Sequence, residues 1–139
     1  MASTWRAVGA LIENGKGELL VVLRQKDRPE PNVYGLIGGG IKFLETERNA
    51  CVREIFEETG LKVDPSQLEF LKKYNKDWQS AGHDIIFYLF RYKVNGSSPH
   101  ITLNFDEAVS YLWETPEELY KRSDLMKGLY IILKDVYKL

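Results

Sequence analysis

A mixed α/β fold is predicted by three observations: short runs rich in Val, Leu and Ile before residue 40, one strongly periodic helix with both ends marked, and a return to strands ahead of further helices. Residues 5–12 and 18–23 are apolar runs separated by Glu13-Asn14-Gly15-Lys16-Gly17, whose Asn-Gly pair favours a tight reversal and predicts a β-hairpin. The polar stretch 24–32, with Pro29 and Pro31, cannot continue a strand and is expected to be a loop leading to a short strand at 33–37. Gly38, Gly39 and Gly40 follow, where a strand-to-loop turn is an adequate explanation.

Residues 46–59 carry the helix. Val52, Ile55, Phe56 and Thr59 fall on one arc at about 100° per residue, Thr46 is placed to cap the N-terminus, and Gly60 to end the helix in the left-handed conformation. Residues 68–74 and 84–94 are expected to be strands. The second is apolar on both faces through Ile85-Ile86-Phe87-Tyr88-Leu89-Phe90, so it belongs at the centre of a sheet. A polar loop with Trp78 and His83 lies between them, and another short strand is expected at 109–113. Thr115-Pro116-Glu117-Glu118 opens a helix by its capping threonine and its proline at the first position. A last helix over 123–137 would bury Leu125, Leu129, Ile132, Leu133 and Val136. No repeat or linker divides the 139 residues, so one domain over 1–139 is expected.

Composition narrows the function. Hydrophobic residues at 44% against 28% charged describe a packed chain, and a net charge of −1 lacks the positive excess that a long nucleic acid would favour. A small anionic ligand is not excluded, because a local acidic cluster can hold a divalent cation that carries it. The lone Cys51 cannot form an internal disulfide, and no Cys/His cluster has zinc spacing. No apolar run approaches the roughly 20 residues of a membrane span, so a cytoplasmic protein without membrane partners is expected.

Glu54, Glu57 and Glu58 stand at i, i+3 and i+4, which puts three carboxylates on one helical face within reach of a shared cation, with Glu47 on the same arc. A solvated acidic face is the plain alternative. Against it, Glu57 and Glu58 occupy the last turn, where the helix dipole disfavours negative charge by about 0.3–1 kcal/mol each. Ala50 leaves the arc unobstructed. Carboxylates completed by a backbone carbonyl, such as the glycine run offers, suit Mg²⁺, which prefers oxygen ligands and substrate phosphates. No EF-hand loop competes, and no Gly-Lys-Ser/Thr follows the glycines as a P-loop requires.

Gly39, Glu45, Arg53, Glu54, Ile55, Glu57, Glu58, Gly60 and Leu61 match the Nudix box, Gly-x5-Glu-x7-Arg-Glu-U-x-Glu-Glu-x-Gly-U with U aliphatic, over residues 39–61. Such a match has a chance probability on the order of 10⁻⁷ or less. The sequence therefore resembles the Nudix hydrolase family, of MutT-like type. Leu19 to Arg24 is similar to that family's second strand, and Tyr34-Gly35-Leu36-Ile37-Gly38-Gly39 to its aromatic-x-Leu-Pro-Gly-Gly run. Ile37 stands where many members have proline, and Leu44 where a glycine is common.

The resemblance implies an α/β/α sandwich around a mixed sheet and hydrolysis of a nucleoside diphosphate linked to another group X, with Mg²⁺ or Mn²⁺. It implies Glu54, Glu57 and Glu58 as metal ligands with the carbonyl of Gly38, one glutamate also serving the attacking water. Arg53 would fix a neighbouring glutamate, Glu45 would tie the loop to the helix, and Glu107 resembles the extra loop carboxylate of some members. Arg24 and Lys26 are candidates for phosphate contact, and Tyr34, Trp78 and His83 for stacking on a base. The expected partner is a small nucleotide, bound by a monomer or homodimer. A nucleoside triphosphate, ADP-ribose or a nucleotide sugar are all open substrates. A Nudix-fold sensor that binds without cleaving, and a structural domain with an acidic face, are the rival functions.

Overall fold

The computed structural model describes residues 4–76, 84–96 and 98–139. Its strands are β1 (Thr4–Glu13), β2 (Leu19–Arg24), β3 (Tyr34–Gly35), β4 (Ile37–Gly40), β5 (Glu69–Lys76), β6 (Asp84–Lys93) and β7 (Ala108–Glu114). The helices are α1 (Glu47–Thr59), α2 (Pro116–Tyr120) and α3 (Lys127–Tyr137). The sheet runs β3-β2-β1-β6-β5, with β4 also on β1 and β7 also on β2. Alternation along β1 explains the layers: Val8, Ala10 and Ile12 join Ala50, Cys51 and Ile55 of α1 in one core, whereas Leu11 joins Leu129, Ile132 and Leu133 of α3 in the other. The result is an α/β/α sandwich, as the sequence implied. No helix among the described residues is long and apolar enough to cross a membrane.

Several elements differ from expectation. The chain does reverse at Asn14, whose side chain accepts from the amides of Lys16 and Glu18. The hairpin ends there, however, with Glu13 and Leu19 as its one paired position. Each strand takes other partners: β1 pairs antiparallel with β4 and parallel with β6, while β2 pairs with β3 and β7. β6 is central, between β1 and β5. The glycine run is strand and not turn, since Gly38, Gly39 and Gly40 pair with Gly9, Val8 and Ala7. Side chains are excluded there: a Cβ on Gly38 would lie 2.3 Å from the Val8 carbonyl oxygen, and one on Gly39 2.5 Å from Oε1 of Glu54.

The limits of α1 agree with the sequence. Thr46 accepts from the Asn49 amide at 3.1 Å, and Gly60 closes the helix at φ 78°. Its buried face is different, comprising Ala50, Cys51, Glu54, Ile55, Glu58 and Thr59, while Phe56 is exposed. The last helix starts at Lys127, not 123, because the preceding segment adds to β3: Tyr34 donates its amide to Asp124 and accepts from that of Met126. Val136 is only partly buried.

Leu44 adopts φ 67° while 89% exposed, so a β-carbon is held in left-handed backbone with no packing in return. This explains why a glycine suits the position. Leu44→Gly is expected to raise stability by up to about 1 kcal/mol, read as a higher urea midpoint at unchanged slope. A lower midpoint would contradict the strain.

Candidate active site

The three glutamates of α1 do share a helix, but its packing turns them in different directions. Glu54 and Glu58 face the sheet and are buried to 9% exposure each, whereas Glu57 points to solvent. Glu58 accepts from the amide of Gly38 at 2.9 Å, and the Glu54 carboxylate fills the space left by the missing Cβ of Gly39. Burial, and then the charge of Glu54, pushes the Glu58 carboxyl well above the usual range. Two carboxylates have been brought out of water side by side, which is costly unless something positive joins them.

Arg53 supplies part of that charge. Its Nε and Nη2 grip Glu45 at 2.7 and 2.9 Å, its Nη1 reaches Glu54 at 2.9 Å and Glu57 at 3.0 Å, and Nη2 also donates to the Gly40 carbonyl at 2.9 Å. The i,i+4 contact with Glu57 was legible from spacing; the fork onto Glu45 was not, because it depends on the loop folding back over the helix. Glu45 also accepts from the Lys42 amide at 2.9 Å. Held mainly by the guanidinium, its carboxyl is lowered to about 2. The loop is thereby clasped to α1.

The shared-cation arrangement expected from i, i+3, i+4 spacing is consequently not preformed. Among the described residues, no group of three His, Cys, Asp or Glu side chains is set to hold an ion. Arg53 engages two of the three, and the helix directs Glu57 away from Glu58. Glu47 pairs with Arg6 at 3.3 Å and takes no part. The Gly38 contact at the site is made by its amide, donated to Glu58.

A cavity of about 670 Å³ opens on the other side of the glycine strand, lined by Gly38, Gly39 and Gly40 together with Trp5, Phe87 and Leu129. No glutamate of α1 lines it. The carboxylates and the cavity meet across the glycine backbone, so a ligand in the cavity approaches Glu54 and Glu58 along a strand without side chains. Cations stand at this junction. Arg24 lines the cavity and is held by the Pro29 carbonyl at 2.9 Å; its pKa is lowered by burial and next by the charge of Arg28. Glu107 comes to the same place, 3.6 Å from Arg28, with its carboxyl raised by burial.

The remaining candidates lie elsewhere. Lys26 is exposed and outside the cavity lining, because the chain turns at Gln25 to Arg28 and presents Arg28 in its place. Tyr34 is also outside the lining; its ring packs against the α3 core under Arg122, whose guanidinium carbon is 5.0 Å from the ring centroid. Trp78 and His83 lie outside the described residues. Cys51 is buried in the α1 core, and burial pushes its thiol up to about 12, so it offers no thiolate at neutral pH. Arg28 is the residue that sequence reasoning missed. A basic residue two positions beyond Lys26 was visible in the sequence, but the turn that selects it was not.

Comparison with known proteins shows the family and the fold. The NUDIX domain family model matches residues 3–136. An uncharacterised Nudix hydrolase of Listeria innocua is 32% identical over 114 residues, covering 81% of this chain and 64% of that protein, so the chain spans just under two thirds of this relative. An RNA pyrophosphohydrolase of Roseobacter denitrificans is 27% identical over 140 residues, covering 94% of this chain and 84% of that one. The MutT Nudix hydrolase of Burkholderia pseudomallei has a similar fold, with a TM-score of 0.81 at 24% identity over 96% of this chain and 98% of that chain.

Proposed function

From the premise that this chain belongs to the Nudix family, we propose that it is a hydrolase that cleaves the diphosphate bridge of a nucleoside diphosphate linked to another group X. One observation carries the reading. Glu54 and Glu58 are buried against a strand of bare glycine that also walls a cavity large enough for a nucleotide-sized group.

The donor set fits a hard divalent cation, Mg²⁺ or Mn²⁺. All its side-chain donors are carboxylate oxygens, and the burial and then the neighbouring Glu54 charge that push the Glu58 carboxyl up are what a bound cation would offset. Glu54, Glu57 and Glu58 would hold it, with the Gly38 carbonyl and, from the neighbouring loop, Glu107. When bound, it would neutralise the diphosphate and lower the pKa of the attacking water.

The chain's own residues do the rest. Arg53 holds Glu54 and is itself fixed by Glu45, so this buried carboxylate keeps its place beside the glycine strand. Glu57 is the most exposed of the three and would turn from Arg53 to join the cation. The Gly38 amide keeps the Glu58 carboxyl turned toward the glycine strand. The apolar cavity walls exclude water around X. A carboxylate of this set takes the proton from the attacking water.

The test is a panel of nucleoside triphosphates, ADP-ribose, nucleotide sugars and dinucleoside polyphosphates, incubated with Mg²⁺ or Mn²⁺ in ¹⁸O-water with the products identified. The expected outcome is attack at phosphorus: the label appears in a phosphate-containing product, and a triphosphate gives monophosphate and pyrophosphate. Inorganic phosphate released first, or binding without turnover across the panel, would replace this reading with a phosphatase or a sensor.

A further inference from the structure

The turn ahead of β7 brings Glu107 toward the α1 carboxylates, yet packing of the turn itself does little to hold it there. Phe105 is 67% exposed and Asp106 is exposed beside it. The pairing that follows is irregular as well. β7 matches Leu23 with Ser110 and then Arg24 with Ala108, which leaves Val109 as an extra residue, a bulge that disrupts the ladder next to Glu107. Glu107 nevertheless has a definite place. It lies 3.6 Å from Arg28; burial raises its carboxyl, and beyond the opposing charge of Arg28 those of Glu54 and Glu57 raise it further, so it faces α1.

Gln25, the first residue past β2, accounts for that place. Its backbone amide donates to the Glu107 carbonyl at 3.0 Å, and its side-chain Nε2 donates to the Phe105 carbonyl at 2.7 Å, so one residue grips the turn on both sides of Asp106. Asn104 shapes the turn from within: its side chain accepts from the Asp106 amide and its carbonyl from those of Glu107 and Ala108. Those bonds are local and do not fix where the turn sits. The bonds of Gln25 reach across 80 residues of sequence and tie it to the sheet. One exposed hydrogen bond contributes little to folding, but two bonds hold a turn in place where one leaves it free to pivot.

We infer that Gln25 is a positioning residue for Glu107: by gripping the 105–107 turn at two carbonyls, it sets how far that carboxylate stands from Glu54 and Glu58. This rests on the function proposed above, in which Glu107 joins the cation, and adds to it a residue that touches neither cation nor substrate.

The test is Mn²⁺ binding to the full chain, read from the electron paramagnetic resonance of the free ion, for the wild type, Gln25→Met, Glu107→Gln and the double variant. Gln25→Met keeps the length of the side chain and removes its donor, so the urea midpoint should not move. Mn²⁺ affinity should fall about fivefold in Gln25→Met and about tenfold in Glu107→Gln. The double variant should stay within about twofold of Glu107→Gln, because a residue that acts through Glu107 then has nothing left to position. On the substrate identified in the panel, Gln25→Met should lower kcat about fivefold with KM for the nucleotide nearly unchanged. Equal Mn²⁺ affinity in wild type and Gln25→Met, losses that multiply in the double variant, or a markedly lower urea midpoint for Gln25→Met would overturn the positioning role. Mn²⁺ binding that Glu54→Gln weakens, but Gln25→Met and Glu107→Gln do not, keeps the proposed function and removes the role of Gln25. Affinity governed by Gln25 and Glu107, with no turnover across the panel, keeps that role and loses the proposed function. No Mn²⁺ binding at all would overturn both.

Discussion

Glu57→Gln is expected to fold as the wild type does and to lose at least a thousandfold in turnover. The side chain is exposed and its bond to Arg53 is one of several that the guanidinium makes, so its removal should cost a few tenths of a kcal/mol. The negative end of the α1 dipole, which has no basic residue in its last turn, is relieved by the same exchange and offsets part of that cost. Catalysis has no such compensation. An amide keeps the shape of the side chain but not the charge needed to hold a divalent cation or accept a proton. Urea unfolding and kcat on the substrate identified in the panel separate the two effects, and activity within a few-fold of wild type would remove Glu57 from the site.

Arg53→Ala is expected to damage both stability and turnover. The guanidinium joins Glu45, Glu54, Glu57 and the Gly40 carbonyl, so truncation frees the loop before α1 and leaves the buried Glu54 without its guanidinium partner. A loss of about 2 kcal/mol in unfolding free energy is expected for this half-buried network, and a fall in kcat of about a hundredfold or more from displaced carboxylates. Arg53→Lys keeps the charge without the fork and should recover only part of each. The wild-type clasp should resist acid: the Glu45 carboxyl is lowered on folding, so its contribution is complete above the ordinary carboxylate range and disappears as pH falls from there toward about 2. Equal unfolding free energies for wild type and Arg53→Ala would show that the network is incidental.

What the sequence made legible was local. Thr46 and Gly60 mark the ends of α1 by capping chemistry that involves only the neighbouring turn, and Thr115-Pro116 does the same for α2, where Thr115 accepts from the Glu118 amide. The apolar run of β6 announced a central strand because no face of it could be wet. Partner choice was hidden. Asn14-Gly15 encodes a reversal, but nothing nearby shows that β1 will pair with β4 and β6, and so the expected hairpin stops after one pair.

At the site, the identities of Glu54, Glu57 and Glu58 were plain, but their directions were not. Burial of two carboxylates follows from glycines on another strand, and the exposed Phe56 shows how far the buried face of α1 is rotated from the apolar arc. Lys26 and Arg28 were distinguished by a single turn of backbone. Tyr34 was drawn into the core by the segment that pairs with β3.

The parallel ladder between β1 and β6 also constrains how the chain reaches this state. It joins Thr4 to Asp84 and Glu13 to Lys93, so each pair closes a loop of roughly 80 residues, an entropic cost met before any of the ladder's contacts form. Contacts so distant in sequence slow folding relative to a helical protein of equal stability. During synthesis the β4 pairing becomes available to β1 first, through Ala7 and Gly40, and the opposite edge of β1 must wait for residues 84–93 to emerge. Until then that edge is a row of unpaired backbone N–H and C=O groups, and a ribosome-bound chain with an unpaired hydrophobic strand is the species most exposed to misassembly and to capture by chaperones.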